Sequence, residues 1–400
     1  MNQSRHIVIA GGGIAGLASA LYLEKNGYFV SVFDKAKTFE PIGAGIQLSP
    51  NAMHVLADLG LERQIANMSV APDGIDIREL STGDFLNNVP LGKSIQNFYG
   101  APYLSTQRSD LHTVLLSACK IKPDIAIHTN HQIEDITSHL NGASLITRNG
   151  TKLETHSANA AILADGIKSS LRQKVLNPAP ASFSGFVAWR AMLPMQIVPD
   201  FIDKERVHLC LGRNKHILLY PVSSGRYLNI VVILKNKKAV QEVQFYADPA
   251  PMKKTLRFIS RELLDLLNLQ TKWSVWPIFE APVLKKWHEG NIIAVGDSAH
   301  GLLPFSAQGA AMALEDASEL GHALATHSTN ESAFKSFENK RMTRVNKMRK
   351  LARSNGDMYH MGFPASTARN MVISYSQPGK LLDKQKWIYD WKPPKGDDEV

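Results

Sequence analysis

Three glycines spaced as Gly11-x-Gly13-x-x-Gly16 stand between a strand pattern and a helix pattern, and this run constrains the fold most. His6-Ile7-Val8-Ile9-Ala10 leads into it as an apolar strand. Leu17, Ala20, Leu21 and Leu23 follow at helical spacing, Lys25-Asn26-Gly27 marks a stop, and Tyr28 to Phe33 reads as a second strand ending at Asp34. This is a βαβ unit of about 30 residues, the size of a dinucleotide-binding motif. The first glycine permits a tight turn, the second lets a pyrophosphate approach the backbone, and the third lets helix and strand pack closely. Ala15 lies inside the fingerprint, and the helix N-terminus that follows offers free N–H groups to phosphate. Asp34 is placed to accept from ribose hydroxyls, with Lys35 beside it in the cofactor set. A carboxylate there argues against a 2′-phosphate. The fingerprint alone does not separate FAD from NAD.

Four hundred residues leave room for more than one domain. With 44% hydrophobic and 20% charged residues, the composition excludes a disordered or collagen-like chain. Cys119 and Cys210 are the only cysteines, too few for a disulfide framework or a cysteine-based zinc site, and no metal is expected. No apolar run approaches the ~18 residues of a membrane span. The N-terminus passes straight into the first strand, unlike a signal peptide, so a cytoplasmic protein is expected.

β-rich stretches at 74–105 and 180–280 interrupt an otherwise α/β pattern. A nucleotide-binding domain is therefore expected from residues 1–73, 104–179 and 281–375, with a substrate domain from 74–103 and 180–280 and a polar tail at 376–400. Gly43-Ala44-Gly45-Ile46-Gln47-Leu48 reads as a loop, and Ser49-Pro50 as a capped helix start. Residues 253–267 read as one helix, and Gln308 to Leu324 as another.

The net charge is +9, and much of it is local. Eight Lys or Arg and a single acid, Glu338, lie between Lys335 and Arg353. Phe334, Phe337, Val345, Met348 and Ala352 recur at helical spacing there, so the segment reads as an amphipathic helix with a solvated basic face. Weak contact with an anionic membrane surface is open. Without a zinc finger or an aromatic-basic strand motif, no nucleic-acid partner is expected.

Two further motifs set an Asp beside a Gly at a strand end: Ala164-Asp165-Gly166, and Val295-Gly296-Asp297-Ser298-Ala299-His300. Singly, such a pair is a turn. With the opening fingerprint and the run Gly301 to Ala310, the set resembles the class A flavoprotein aromatic hydroxylases of the p-hydroxybenzoate hydroxylase type. It is most similar to the salicylate hydroxylase and 6-hydroxynicotinate 3-monooxygenase branch, over residues 5 to 350. The resemblance implies an α/β fold with a Rossmann-like FAD-binding domain and an inserted β-sheet substrate domain. It implies that Gly296 and Asp297 serve the ribityl chain of FAD, and that Pro304 and the backbone of Gln308, Gly309 and Ala310 lie along the isoalloxazine. Arg108 would reach the ribityl or pyrophosphate region. Asp165 would serve both FAD and the nicotinamide donor, although Leu163 stands where a glycine is common. No second strand–GxGxxG–helix unit is present, so NADH or NADPH would bind without its own Rossmann domain.

His216-Ile217-Leu218-Leu219-Tyr220-Pro221 is the candidate substrate strand. Residues four apart on a strand share a face about 13 Å apart, so His216 and Tyr220 would line one wall without touching. The resemblance makes His216 the base and places Tyr220 at the substrate. Gln47 falls where some relatives carry a basic residue, and Arg190, after Trp189, is an alternative anion partner. The implied function is FAD-dependent, NAD(P)H- and O₂-consuming hydroxylation of a small phenolic or N-heteroaromatic carboxylate by way of a flavin C4a-hydroperoxide, in a monomer or homodimer. A ubiquinone-pathway hydroxylase and a flavin oxidoreductase that inserts no oxygen stay open.

Overall fold

A computed structural model describes residues 5–39, 44–236, 238 and 242–395. Gly43 and residues 396–400 of the expected tail lie outside the described residues. The first strand, His6–Ala10, lies between Ala160–Leu163 and Phe29–Phe33 and runs parallel to both. The six-stranded sheet continues to Ile125–His128 on one side and to Ile292–Ala294 and His288–Glu289 on the other. Its inner strands are apolar without alternation, because they are packed over by the helix Ile14–Lys25 and also by the antiparallel strands Gly142–Asn149 and Lys152–Ala158. The helix Ile14–Lys25 packs against the helix Gly309–Thr326, and both belong to one core with the sheet. A three-stranded antiparallel sheet, Gln132–His139, Gly142–Asn149 and Lys152–Ala158, lies beside it.

The second large sheet has eight strands among the described residues. In spatial order they are Gln244–Ala247, Trp273–Glu280, Ser182–Pro194, Tyr227–Lys235, Lys215–Val222, Val207–Gly212, Gly74–Glu79 and Phe85–Pro90. Alternation is strict in the middle strands. Trp189, Ile217, Leu219, Ile230 and Val232 face a core closed by Met252, Leu256 and Leu263. Arg190, His216, Leu218, Tyr220 and Val231 face a cavity on the other side. Period-two geometry thus gives one strand both a structural and a chemical face. Among the described residues, no helix is long and apolar enough to cross a membrane.

Several sequence expectations need correction. Residues 253–267 are not one helix: Ala250–Leu256 stops, and Arg261–Asn268 restarts with the Ser260 side chain accepting from the Leu263 amide. The stretch 74–105 contains the helix Gly92–Tyr99, whose Ile95 and Tyr99 are buried one turn apart. Pro50 does occupy the first turn of Pro50–Asp58, but Ser49 makes no side-chain cap, because its hydroxyl donates to Asn51 Oδ1 at 2.6 Å. The tail is not a free polar segment, since Leu382, Ile388 and Tyr389 of Pro378–Asp383 and Lys386–Tyr389 are buried.

The basic helix spans Asn330–Tyr359, and its face is not simply solvated. Arg341 is buried, donating to Asp316 Oδ1 at 2.7 Å and to Glu315. Arg344 donates to both oxygens of Glu315 and to the carbonyls of Trp387 and Ile388. Arg349 donates to the Ala281 carbonyl at 2.7 Å. Glu315 and Asp316 are fully buried on the neighbouring helix, and carboxylates so placed need counter-charge. Arg341 and Arg344 supply that inner network, Arg349 is buried against Ala281 and Glu280 instead, and the other five cations remain exposed.

Candidate active site

The glycine turn is built as its spacing predicts. Gly11 has φ +112°, a value L side chains resist, and a Cβ there would run into the Ala164 carbonyl. A Cβ on Gly16 would strike the Gly11 carbonyl. At Gly13 it would meet nothing within 4 Å, so this glycine faces open space at the start of Ile14–Lys25. Asp34 holds the turn closed, since its Oδ2 accepts from the Gly12 amide at 2.7 Å and its Oδ1 from the Ala36 amide at 2.8 Å. Lys35 is exposed beside it.

The strand Ile292–Ala294 delivers Gly296 and Asp297 next to that turn, and a Cβ on Gly296 would lie 2.8 Å from Ala15 Cβ. Asp316 pins the second turn, its Oδ2 accepting from the Gly296 amide at 2.8 Å and from His300 Nε2 at 2.6 Å. Burial pushes the Asp316 carboxyl up, but His300 and Arg341 outweigh it and hold the group below the usual range. Asp165 accepts from the Ser298 hydroxyl. Asp297 opens onto the cavity instead: its surface is accessible there, yet protein surrounds it. That enclosure raises its carboxyl, against the pull of His300 and Arg108. Arg108 itself is exposed at the first position of Arg108–Lys120.

The cavity has a volume of about 290 Å³. Asp297, Pro304, Gly309 and Ala310 form one wall, Arg190, His216 and Tyr220 another, and Gln47 stands on the ribbon between them. That ribbon, Gly45–Leu48 paired with Leu104–Gln107, touches the sheet: the Gly45 amide donates to Asn229 Oδ1 at 3.1 Å. Gly309 begins an 18-residue helix and, like Gly13, has nothing within 4 Å of a Cβ position. The Gln308 side chain turns away, donating to Ser49 Oγ at 2.8 Å and accepting from Asn51 Nδ2 at 3.1 Å, so only backbone is presented there.

Three buried donors at or beside this cavity have no partner in the protein: Gln47 Nε2, Arg190 Nε and Asn229 Nδ2. Gln47 Oε1 is occupied, accepting from Tyr103 OH at 2.6 Å, which aims the amide nitrogen elsewhere. Orphaned buried donors cost about 1–3 kcal/mol each, and a bound acceptor removes that cost. Arg190 is brought into the cavity wall, within 5.8 Å of the Trp276 ring and close enough to Tyr220 for their charges to interact. Burial pushes the Tyr220 hydroxyl up to about 12, with Arg190 pulling the other way.

His216 is buried, and its Nδ1 shares a proton with His360 Nε2 at 2.8 Å. Burial, then the neighbouring His360, holds it well below the usual histidine value. It is therefore neutral at neutral pH, with Nε2 left for the cavity. Sequence reasoning missed His360, Tyr103 and Asn229. Asn229 alone had a signal, because it sits in the apolar strand Tyr227–Lys235 as its one polar interior residue.

Open glycine cradles at two helix starts, an enclosed carboxylate between them and a flat-walled cavity beyond fit a long cofactor with a pyrophosphate, a polyol and a ring. The family model described as FAD binding domain matches residues 5–352. The chain belongs to this FAD-binding family. Another protein similar to it is the 3-hydroxybenzoate 6-hydroxylase of Klebsiella oxytoca, 30% identical over 396 residues that cover 98% of each chain. The 6-hydroxynicotinate 3-monooxygenase of Pseudomonas fluorescens is 27% identical over 361 residues, 89% of this chain and 92% of that one. Among solved structures, a salicylate hydroxylase substrate complex superposes with a TM-score of 0.81 at 22% identity, covering 98% of this chain and 97% of the other. The class A flavoprotein hydroxylase fold expected from the motifs is the fold observed, and FAD is the cofactor of this FAD-binding family member.

Proposed function

We propose that this chain is an FAD-dependent monooxygenase that uses NADH or NADPH and O₂ to hydroxylate a small phenolic or N-heteroaromatic carboxylate. The carrying observation is the pairing, in one cavity, of unpartnered donors at Arg190 and Gln47 with a neutral histidine at His216. The relatives named for 3-hydroxybenzoate and 6-hydroxynicotinate act on hydroxylated aromatic acids, the ligand such a cavity suits.

Gly11, Gly13, Ala15 and Gly16 would hold the pyrophosphate, with Asp34 and Lys35 toward the adenosine. Gly296, Asp297 and Arg108 would hold the ribityl region, and Pro304, Gln308, Gly309 and Ala310 the ring. Asp165 would act through Ser298. Residues 1–73, 104–179 and 281–375 would form the cofactor part and 74–103 with 180–280 the substrate part, in a cytoplasmic monomer or homodimer. FAD, when bound, supplies electron acceptance from the nicotinamide and activation of oxygen.

The protein's own task is to make the ring electron-rich and keep water out. A phenol has a pKa near ~10, so at neutral pH a base must remove its proton. His216 Nε2 is that base. Tyr220, itself protonated, donates or accepts a hydrogen bond on the ligand. Arg190 and Gln47 fix the carboxylate, so that the phenol faces His216. A panel of hydroxybenzoates and hydroxynicotinates, scored by oxygen-dependent product, tests the reading. NAD(P)H oxidation without any hydroxylated product would overturn it.

A further inference from the structure

Resting on that reading of His216 as base, we propose that His360 is the exit through which the substrate's proton leaves the buried site. His216 has two ring nitrogens. His216 lines the cavity, its Nδ1 is 2.8 Å from His360 Nε2, and that contact leaves Nε2 for a ligand. His360 follows the last residue of the helix Asn330–Tyr359 and is only partly buried, whereas His216 is 5% exposed. A proton placed on His216 therefore has a side-chain route outward through His360.

The His360 ring is held for that task. It stacks on Phe186 with centroids 4.6 Å apart and planes 22° apart, and lies edge-on to Phe305. Its amide donates to Gly356 O at 3.2 Å and its carbonyl accepts from the Asn214 amide at 3.1 Å. The charges that act on it are Lys235 and Arg369, both cations, and the neutral Tyr359 packs on His216. Burial and those cations lower the His360 pKa to about 4, and His216 is lowered as well. Neither ring stores a proton near neutral pH, so the pair conducts it to water.

At rest, Nδ1 of each histidine carries the hydrogen, and His216 Nδ1–H donates to His360 Nε2. The phenol O–H bond breaks, and its proton joins His216 Nε2. The Nδ1 proton passes to His360 Nε2, and the His360 Nδ1 proton passes to bulk water. When product leaves, its oxygen takes the Nε2 proton back, His360 returns its Nε2 proton to His216, and water reloads His360 Nδ1. The ligand leaves as a neutral phenol and the pair is reset.

The test uses the FAD-loaded protein mixed rapidly with 3-hydroxybenzoate or 6-hydroxynicotinate in weak buffer containing a pH-indicator dye. Perturbation of the flavin absorbance reports binding, and the dye reports proton release. Wild type is expected to release about one proton as fast as it binds. His360→Gln keeps an acceptor for His216 Nδ1–H but cannot relay, so binding should persist while release slows on the order of 10-fold or more. His360→Ala should slow it likewise. Release at the wild-type rate from both His360 variants, with release abolished in His216→Ala, overturns the relay and leaves the base. Wild-type release from His216→Ala overturns both, as does failure of both probes to perturb the flavin. Histidine ¹⁵N shifts of the unaltered holoenzyme give a check free of any variant. Nδ1–H forms of His216 and His360 are expected, and a resting Nε2–H form of His216 overturns the proposal.

Discussion

Ser298 Oγ donates to Asp165 Oδ1 at 2.8 Å and, at the same distance, accepts from the Gly166 amide. Two Asp–Gly turns from distant parts of the chain are thereby fastened to each other beside the cofactor cradle. Ser298→Ala removes both bonds inside a fully buried site, where each is worth about 1 kcal/mol or somewhat more. Thermal unfolding should fall by several degrees, and FAD affinity by roughly 10-fold. An unchanged melting temperature together with an unchanged FAD Kd would refute the fastening role.

Asp297→Ala should weaken FAD retention further, because the enclosed carboxylate is the acceptor set between the two open cradles. Released FAD, measured by its fluorescence after gel filtration, is the readout. Retention equal to wild type would mean that the Gly296-Asp297 turn holds no part of the cofactor.

His216→Ala should keep FAD and lose about 10²–10⁴ in hydroxylation at neutral pH, the range for a missing general base. The loss should shrink as pH rises and the substrate ionises by itself. In wild type the base form is present above its pKa. Since that pKa is depressed by burial, activity should persist below pH ~6.5, where an ordinary histidine would already be protonated. An acid limb centred at or above ~6.5 would contradict the buried neutral state.

Arg190→Met should raise KM for an aromatic acid by about 10- to 100-fold, as expected for losing a charged hydrogen bond of ~1.5–3 kcal/mol. The same phenol without its carboxylate should be little affected. Equal losses on both ligands would make Arg190 a packing residue of the sheet.

Arg341→Met leaves buried Glu315 with Arg344 and buried Asp316 with His300 as their remaining counter-charges, so the loss should not exceed the about 3–5 kcal/mol of a buried pair broken from one side. Asp316 is held below its ordinary value, so its contribution to stability is complete above the unfolded pKa of ~3.9 and disappears as pH falls through the lower folded value. Wild type should therefore lose stability in that acidic window, and the variant should show a weaker acid dependence on a lower baseline. Urea unfolding at several pH values measures both.

The geometry of the glycine turn was legible because its signals are local. A strand, three glycines, a helix and an acid fall within 34 residues, and each spacing has one geometric meaning. His216 and Tyr220 were legible as a shared face for the same reason, since period two is a property of a single strand. His360 was not, because it is 144 residues from His216 and enters by the packing of a helix end onto the sheet. The burial of Arg341 and Arg349 was hidden by their neighbours: in a run of eight cations, sequence does not mark the one that meets two buried carboxylates or the one that meets a buried carbonyl. Ser49 looked like a cap because Pro50 follows it, yet its hydroxyl donates to Asn51, two residues on, and accepts from Gln308, 259 residues away.

The central sheet reads Ile292–Ala294, Ala160–Leu163, His6–Ala10 across its middle, and Arg344 reaches the carbonyls of Trp387 and Ile388. A ribosome emits these pieces in a very different order. At about 5–20 residues per second, the segment that completes the cradle at Gly309 emerges roughly 15 to 60 s after Gly16. During that interval the strand Ile292–Ala294 is not yet available to Ala160–Leu163, and the helix Gly309–Thr326 is not yet available to pack on Ile14–Lys25. A cradle that needs both glycine turns is thus complete only late in the synthesis of the chain.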